Sequence, residues 1–295
     1  MREHFQDFNF QSATLEVIEQ VAGIMGQYRR MGFVLTVRQV YYQLVARGLI
    51  ENSLSSYKRI VNIVGNARLA GMLDWGLIED RERPVHYPGH WDGASDIAQS
   101  AYHSFRVNRW KYQPWHVEVM CEKKALEGVL RPVCARLDVR FQANRGYSSL
   151  TAMYETGKRL ERMVAGGKDV AILYFGDHDP SGMDMDRDIA ERLSMFSRCR
   201  VEVERLALLM DQIEEMDIPE NPAKLTDSRA DGYIAQYGMS SWELDAMEPQ
   251  TMADLVEGAI LSFRDESIHA EAMDFEEEEK EKLSAFIQDN EDSTY

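Results

Sequence analysis

The sequence predicts an α/β protein whose N-terminal part is helical and whose centre is a parallel sheet with helices on both faces. Two observations carry that expectation. Up to residue 72 the apolar residues recur every three or four positions, the period of a helix with one buried face. From residue 116 onward, short apolar runs of strand length alternate with helical stretches, the order that builds a parallel sheet because each crossover carries a helix. Two of those runs, "HVEVMCE" and "DVAILYFGDHD", end on carboxylates, and in open parallel sheets ligands bind at the carboxyl ends of strands.

The first helix falls in "ATLEVIEQVAGIMGQYRRMG", where Leu15, Ile18, Val21 and Ile24 or Met25 share a face and Gly32 ends the run. The second, "TVRQVYYQLVARGL", opens on Thr36 with Gln39 three positions on, a capping box that satisfies the free amides of a helix start. Val37, Val40, Tyr41, Leu44 and Val45 form its buried face, with Tyr41 as a core aromatic. That leaves Tyr42 about 100° round the helix and exposed, with Arg38 one turn before it. The third helix, "SSYKRIVNIVGNARLAGM", carries Lys58, Arg59 and Arg68 with Asn62 and Asn66 between them, side chains suited to phosphate and groove contacts. "GLIEDRERPVHYP" then reads as a short strand, a turn and a return. Three helices followed by a hairpin are the order of a winged-helix DNA-binding domain. The expected division is therefore a first domain at 1–112 and a second at 113–295.

In the second domain "HVEVMCE" is the first strand and "KALEGVLRPVCARL" the helix after it. "VRFQANRGYSS" is a strand and a Gly turn, and "LTAMYETGKRLERMVAG" a helix. "DVAILYFGDHD" is the third strand, "GMDMDRDIAERLSMF" its helix and "CRVEVERLAL" the fourth strand. The C-terminal "DFEEEEKEKLSAFIQDNEDSTY" reads as a solvated helix with a frayed tail.

Composition excludes some functions and leaves others. With 295 residues and 44% hydrophobic content the chain can bury a sizeable core, and no apolar run approaches the roughly 18 residues of a membrane span. The start, "MREHFQDFNFQS", lacks the basic-then-apolar layout of a signal peptide, so a cytoplasmic location is expected. Cys121, Cys134 and Cys199 fall in no metal-ligand spacing and fit a reducing compartment. The net charge of −17 argues against nucleic acid only as an average: residues 1–115 carry +2, residues 116–200 carry +1 and residues 201–295 carry −20.

The chemistry lies in two groups of residues. Glu122, Asp177 and Asp179 all stand at carboxyl ends of strands, and three hard oxygen donors at one sheet edge suit Mg²⁺ or Mn²⁺. In Asp-His-Asp both carboxylates can turn to one side, while Pro180 and Gly182 break the strand and His178 points the other way, into a structural position. Lys123, beside the Glu, is a candidate phosphate contact. On the second helix, Arg38 could grip phosphate oxygens while the Tyr42 phenol reaches the phosphorus. Glu243 and Asp245, in "SSWELDAMEPQ", are expected as the cap and first turn of a helix, with an outer acidic ligand as the alternative.

A Glu closing the first strand in "VMCEKKAL" and the D-x-D-P-x-G of "GDHDPSG" resemble the Toprim domain of topoisomerases, primases and several nucleases. With "RGYSSL" between them and "RQVYY" upstream, the chain is similar to the A subunit of topoisomerase VI and its meiotic double-strand-break relatives. Within that family it resembles the compact stand-alone A-like proteins of bacterial mobile elements. The resemblance covers roughly residues 31–205 and implies a winged helix followed by a Toprim domain. It also implies double-stranded DNA as substrate, Tyr42 as nucleophile forming a 5′-phosphotyrosyl link, Arg38 as its phosphate partner, a divalent metal on Glu122, Asp177 and Asp179, and a homodimer. The chain contains nothing like the family's ATPase, so an ATPase partner subunit stays open. Two rival readings are a Toprim nuclease that hydrolyses DNA with metal-activated water, and a DNA-binding subunit without activity of its own.

Overall fold

The structure, a computed structural model, describes residues 2–78, 89–144 and 150–292. It is a mixed α/β fold built on four parallel strands: β1 (Trp115–Cys121), β2 (Arg140–Ala143), β3 (Asp169–Phe175) and β4 (Glu202–Ala207), in the order β2-β1-β3-β4. The central pair, β1 and β3, runs in register from Trp115 opposite Asp169 to Cys121 opposite Phe175. One further bond, from the Glu122 N–H to the Phe175 carbonyl at 2.8 Å, carries the pairing past the end of β1. Glu122 and the residues after Phe175 therefore leave the sheet side by side.

Strand alternation sends successive side chains to opposite faces, and each face has its own cover. Val117, Val119, Cys121, Leu173 and Phe175 face α5 (Glu127–Arg136) and α10 (Pro249–Ser262). Met120, Ile172 and Tyr174 face α6 (Leu150–Ala165) and α7 (Gly182–Ser197). Each fully buried side chain such as Ile172 or Leu173 contributes about 1.5–3 kcal/mol by leaving water. These double-sided contacts fix the sheet edge from which the carboxylates project.

The N-terminal helices are α1 (Ser12–Arg30), α2 (Val37–Ala46) and α3 (Leu54–Leu69). The capping box forms as expected: Gln39 N–H donates to Thr36 Oγ1 at 3.3 Å, and the Thr36 N–H donates to Gln39 Oε1 at 2.8 Å. Gly32 adopts φ 89° just past α1, in the left-handed region that favours glycine. Leu15, expected on the buried face of α1, is exposed; Val17, Ile18, Val21, Ile24, Met25 and Tyr28 form that face. One apolar core runs from these helices through β1 and β3 to α10. Of the expected hairpin, Trp75–Leu77 is a 3₁₀ turn and Ile78 bridges Leu35, while residues 79–88 lie outside the described residues. The expected Gly turn after β2, at 145–149, lies outside them as well.

Periodicity left several elements unassigned: α4 (Ala94–Ser104), α8 (Met210–Glu215), α9 (Ala230–Tyr237), and the two-residue strands β5 (Asn221–Pro222) and β6 (Ser240–Ser241); the expected α10 begins later, at Pro249. The acidic C-terminus is α11 (Glu266–Asp292), mostly exposed as expected but tied down by Glu276, which is 2% exposed. Among the described residues no helix is long and apolar enough to cross a membrane.

Candidate functional site

The site begins where β1 and β3 end. The Glu122 carboxylate accepts the Asp177 N–H at 3.0 Å, which joins the two acidic motifs directly. Asp177 accepts the Leu244 N–H at 2.7 Å and the Lys123 ammonium at 2.8 Å, both through Oδ1. Asp179 turns its Oδ1 to the start of α7, taking the Gly182 N–H at 2.7 Å and the Ser181 hydroxyl at 3.0 Å, and its Oδ2 lies 3.4 Å from Lys224. Burial, with Asp177 and Asp179 alongside, pushes Glu122 up to about 7. Asp179 is held below the usual carboxylate range: although burial alone would raise it, its backbone bond to Gly182 and the Lys224 charge outweigh that.

Arg205, on β4 and almost fully buried, holds the loop that carries these carboxylates. It donates to the backbone carbonyls of Gly176 and Asp177, both at 3.2 Å, and pairs with Asp186 of α7 at 2.6 Å. His178 lies opposite, as expected of a structural residue. Its ring is 1% exposed, bonds to the Tyr233 hydroxyl at 2.8 Å and packs among Tyr233, Tyr237 and Trp242. Burial lowers it to about 4, so the ring is neutral at pH 7.

A strap from the C-terminal third crosses the acidic edge. His178 and Trp242 exchange both backbone hydrogen bonds at 2.9 Å, and the chain then makes a 3₁₀ turn, Leu244–Ala246. Glu243 and Asp245 are thus not the cap and first turn of a helix: α10 starts only at Pro249, capped by Glu248. They descend instead onto Lys123, with Nζ 3.0 Å from Glu243 Oε2 and 2.9 Å from Asp245 Oδ2. Lys123, expected to reach phosphate, is therefore enclosed by three carboxylates. Burial alone would lower it, but Asp245, Asp177 and Glu243 raise it well above the usual lysine value, so it stays charged.

Glu243 also pairs with Arg38 of α2, whose second contact is Asp245 at 3.7 Å. Tyr42 stands beside this pair, and here the expectation is corrected: its side chain is not exposed but 3% accessible, inside the main core. A helical wheel of α2 alone omits the segments that pack over it from residues 221 and 243, which cover the face left open by α1 and α3. Tyr42 and Arg38 still line a cavity of about 130 Å³ together with Asn52, Asn221 and Glu243. The Asn221 amide points to the Tyr42 hydroxyl at 3.5 Å, and burial followed by the Glu243 charge raises its pKa. Tyr41 is a core aromatic as expected. Its hydroxyl donates to Asn52 at 2.8 Å and accepts the Ser53 N–H at 2.9 Å.

On α3, Lys58 and Arg59 are exposed. Arg68 is engaged instead with Trp75, its guanidinium 4.2 Å from the ring centroid and bonded to the Trp75 carbonyl at 3.4 Å.

In comparisons with protein-family models, curated proteins and solved structures, nothing matched the chain. Among the described residues no group of three or more His, Cys, Asp or Glu is arranged to hold a metal ion. The donor chemistry nevertheless suits a hard divalent cation. Glu122 Oε1 and Asp177 Oδ2 have no protein donor among the described residues, and Glu122 is raised first by burial and then by the Asp177 charge, a repulsion that such a cation would relieve. Glu122 and Asp177, with Asp179 next to them, are the residues that would hold it. Sequence reasoning missed Arg205 and, although it had an outer acidic role for Glu243 and Asp245 as an alternative, missed their pairing with Lys123 and Arg38. The only signal for the latter was two acids in "WELDAM".

Proposed function

We propose that the protein is a metal-dependent DNA-cleaving transesterase similar to the A subunit of topoisomerase VI, with a winged-helix domain followed by a Toprim domain. One observation carries this reading. Arg38, of the "RQVYY" motif, and Lys123, beside the acidic edge, share a single carboxylate oxygen of Glu243, so two motifs far apart in sequence meet in one connected site. Exposed Lys58 and Arg59 on α3 add a surface for the DNA backbone.

On this reading the Tyr42 phenol oxygen bonds to a backbone phosphorus as the bond to the 3′ oxygen breaks. A 5′-phosphotyrosyl link and a 3′ hydroxyl result. Arg38 holds the phosphate oxygens, whose negative charge grows as the bonds exchange. Lys123 keeps the acidic edge partly neutralised, and Arg205 holds the backbone that aims Asp177. A Mg²⁺ or Mn²⁺ on Glu122, Asp177 and Asp179 would supply Lewis-acid stabilisation of the phosphate. Cleavage of both strands implies a homodimer, the N-terminal sequence favours a cytoplasmic setting, and strand passage would need an ATPase partner subunit.

The burial of Tyr42 favours a second reading, a hydrolytic Toprim nuclease in which the same carboxylates serve a water nucleophile. Supercoiled plasmid incubated with Mg²⁺ or Mn²⁺ separates the two. Transesterification leaves protein on the cut ends, which enter the gel freely only after protease; hydrolysis leaves free ends. No cleavage by the wild-type protein in either metal would overturn both.

A further inference from the structure

We propose that Arg38 and Lys123 form a phosphate subsite that the Glu243 carboxylate fills in the folded chain, so that a phosphodiester oxygen enters as Glu243 leaves. This deepens the functional reading above and rests on it for the identity of the natural ligand. The contact set is that of a phosphate: one anionic oxygen, Glu243 Oε2, takes the Lys123 ammonium at 3.0 Å and the Arg38 guanidinium at once. A non-bridging phosphate oxygen accepts the same pair of charge-assisted bonds. Arg38, Tyr42, Asn221 and Glu243 line the 130 Å³ cavity, a few times the roughly 30 Å³ share of one water; Lys123 is not part of that lining and meets it through Glu243 Oε2.

Glu243 and Asp245 differ in a way that singles out Glu243 as the removable partner. The Asp245 side chain is 1% exposed and that of Glu243 is 27% exposed, at the mouth of the cavity. Without Glu243, Lys123 keeps Asp177 at 2.8 Å and Asp245 at 2.9 Å, and Arg38 keeps Asp245 at 3.7 Å. Glu243 gives no side-chain bond to its own 3₁₀ turn, so its carboxylate can swing away while the backbone of the strap stays paired to His178. Until it does, a fixed negative charge stands where a phosphate would bind and repels it.

The test compares the wild type, Glu243→Gln and the double variant Glu243→Gln/Arg38→Ala, with thermal unfolding to confirm that each is folded. Binding of a short fluorescein-labelled duplex is read by anisotropy at one fixed salt concentration, and binding of inorganic pyrophosphate by calorimetry. Glu243→Gln is expected to bind the duplex about tenfold more tightly than the wild type, and the double variant to lose that gain. Where the wild type binds the duplex, equal or weaker binding by a folded Glu243→Gln, or a gain that survives loss of Arg38, overturns the subsite and leaves the DNA reading standing; uptake of neither duplex nor pyrophosphate by any form overturns both. If no form binds the duplex but Glu243→Gln takes up pyrophosphate in an Arg38-dependent way, the subsite stands and the DNA reading falls.

Discussion

The backbone N–H of Asp177 donates to the carboxylate of Glu122 at 3.0 Å, so the two acidic motifs are joined directly to each other. Their charges repel in a buried setting that pushes Glu122 up to about 7. Glu122→Gln keeps the acceptor oxygen and removes the charge. It is expected to stabilise the fold by about 1–2 kcal/mol at neutral pH while abolishing cleavage, the usual exchange between stability and function. Mg²⁺ should raise the melting temperature of the wild type and not of Glu122→Gln, by linkage of binding to folding. Equal shifts in both would show that these carboxylates do not hold the cation.

Tyr41 and Tyr42 have opposite expectations. The Tyr41 hydroxyl makes two good bonds, to Asn52 and Ser53, whereas that of Tyr42 receives a long one from Asn221 at 3.5 Å. Tyr41→Phe should cost about 1–3 kcal/mol in urea unfolding and leave cleavage intact. Tyr42→Phe should cost about 1 kcal/mol or less and eliminate the protein–DNA adduct. Persistent cutting with free ends by Tyr42→Phe would move the assignment to a hydrolase.

At Gly182 a side chain has no room. A Cβ there would lie inside van der Waals contact of the Asp177 carbonyl oxygen and 3.2 Å from Asp179 Oδ1. The carbonyl is backbone and is also held by Arg205, so it cannot swing aside. Gly182→Ala is expected to destabilise by about 1–3 kcal/mol and to lower cleavage by displacing both carboxylates. A denaturation midpoint and a cleavage rate equal to those of the wild type would contradict this.

Glu276 sets an acid limit on the attachment of α11. Its carboxylate takes the Arg109 guanidinium at 2.9 Å and the Val107 N–H at 3.1 Å, with Lys280 at 3.2 Å. Burial alone would raise it, but these partners lower it to about 2. A depressed carboxylate contributes stability above its ordinary pKa and loses it as pH falls, here between about 4.5 and 2. Glu276→Gln should destabilise by about 2 kcal/mol at pH 7 and by much less at pH 2.5, read from urea midpoints at the two pH values.

The layering and the location of the acidic edge were legible in the residues alone. Strands buried on both faces must be apolar throughout, so "AILYF" stands out, and the first polar residues after it fall at the sheet's rim. The capping box of α2 was equally legible, because it depends on residues three apart. What surrounds those residues emerges only in the folded chain. The burial of Tyr42, the enclosure of Lys123 and the anchoring of the Asp177 loop by Arg205 come from β4 and from a strap that arrives far along the chain. Periodicity reports which face of one element is apolar. It carries no information on which distant segment lies across a polar face, and here that segment brings the charges that set the site.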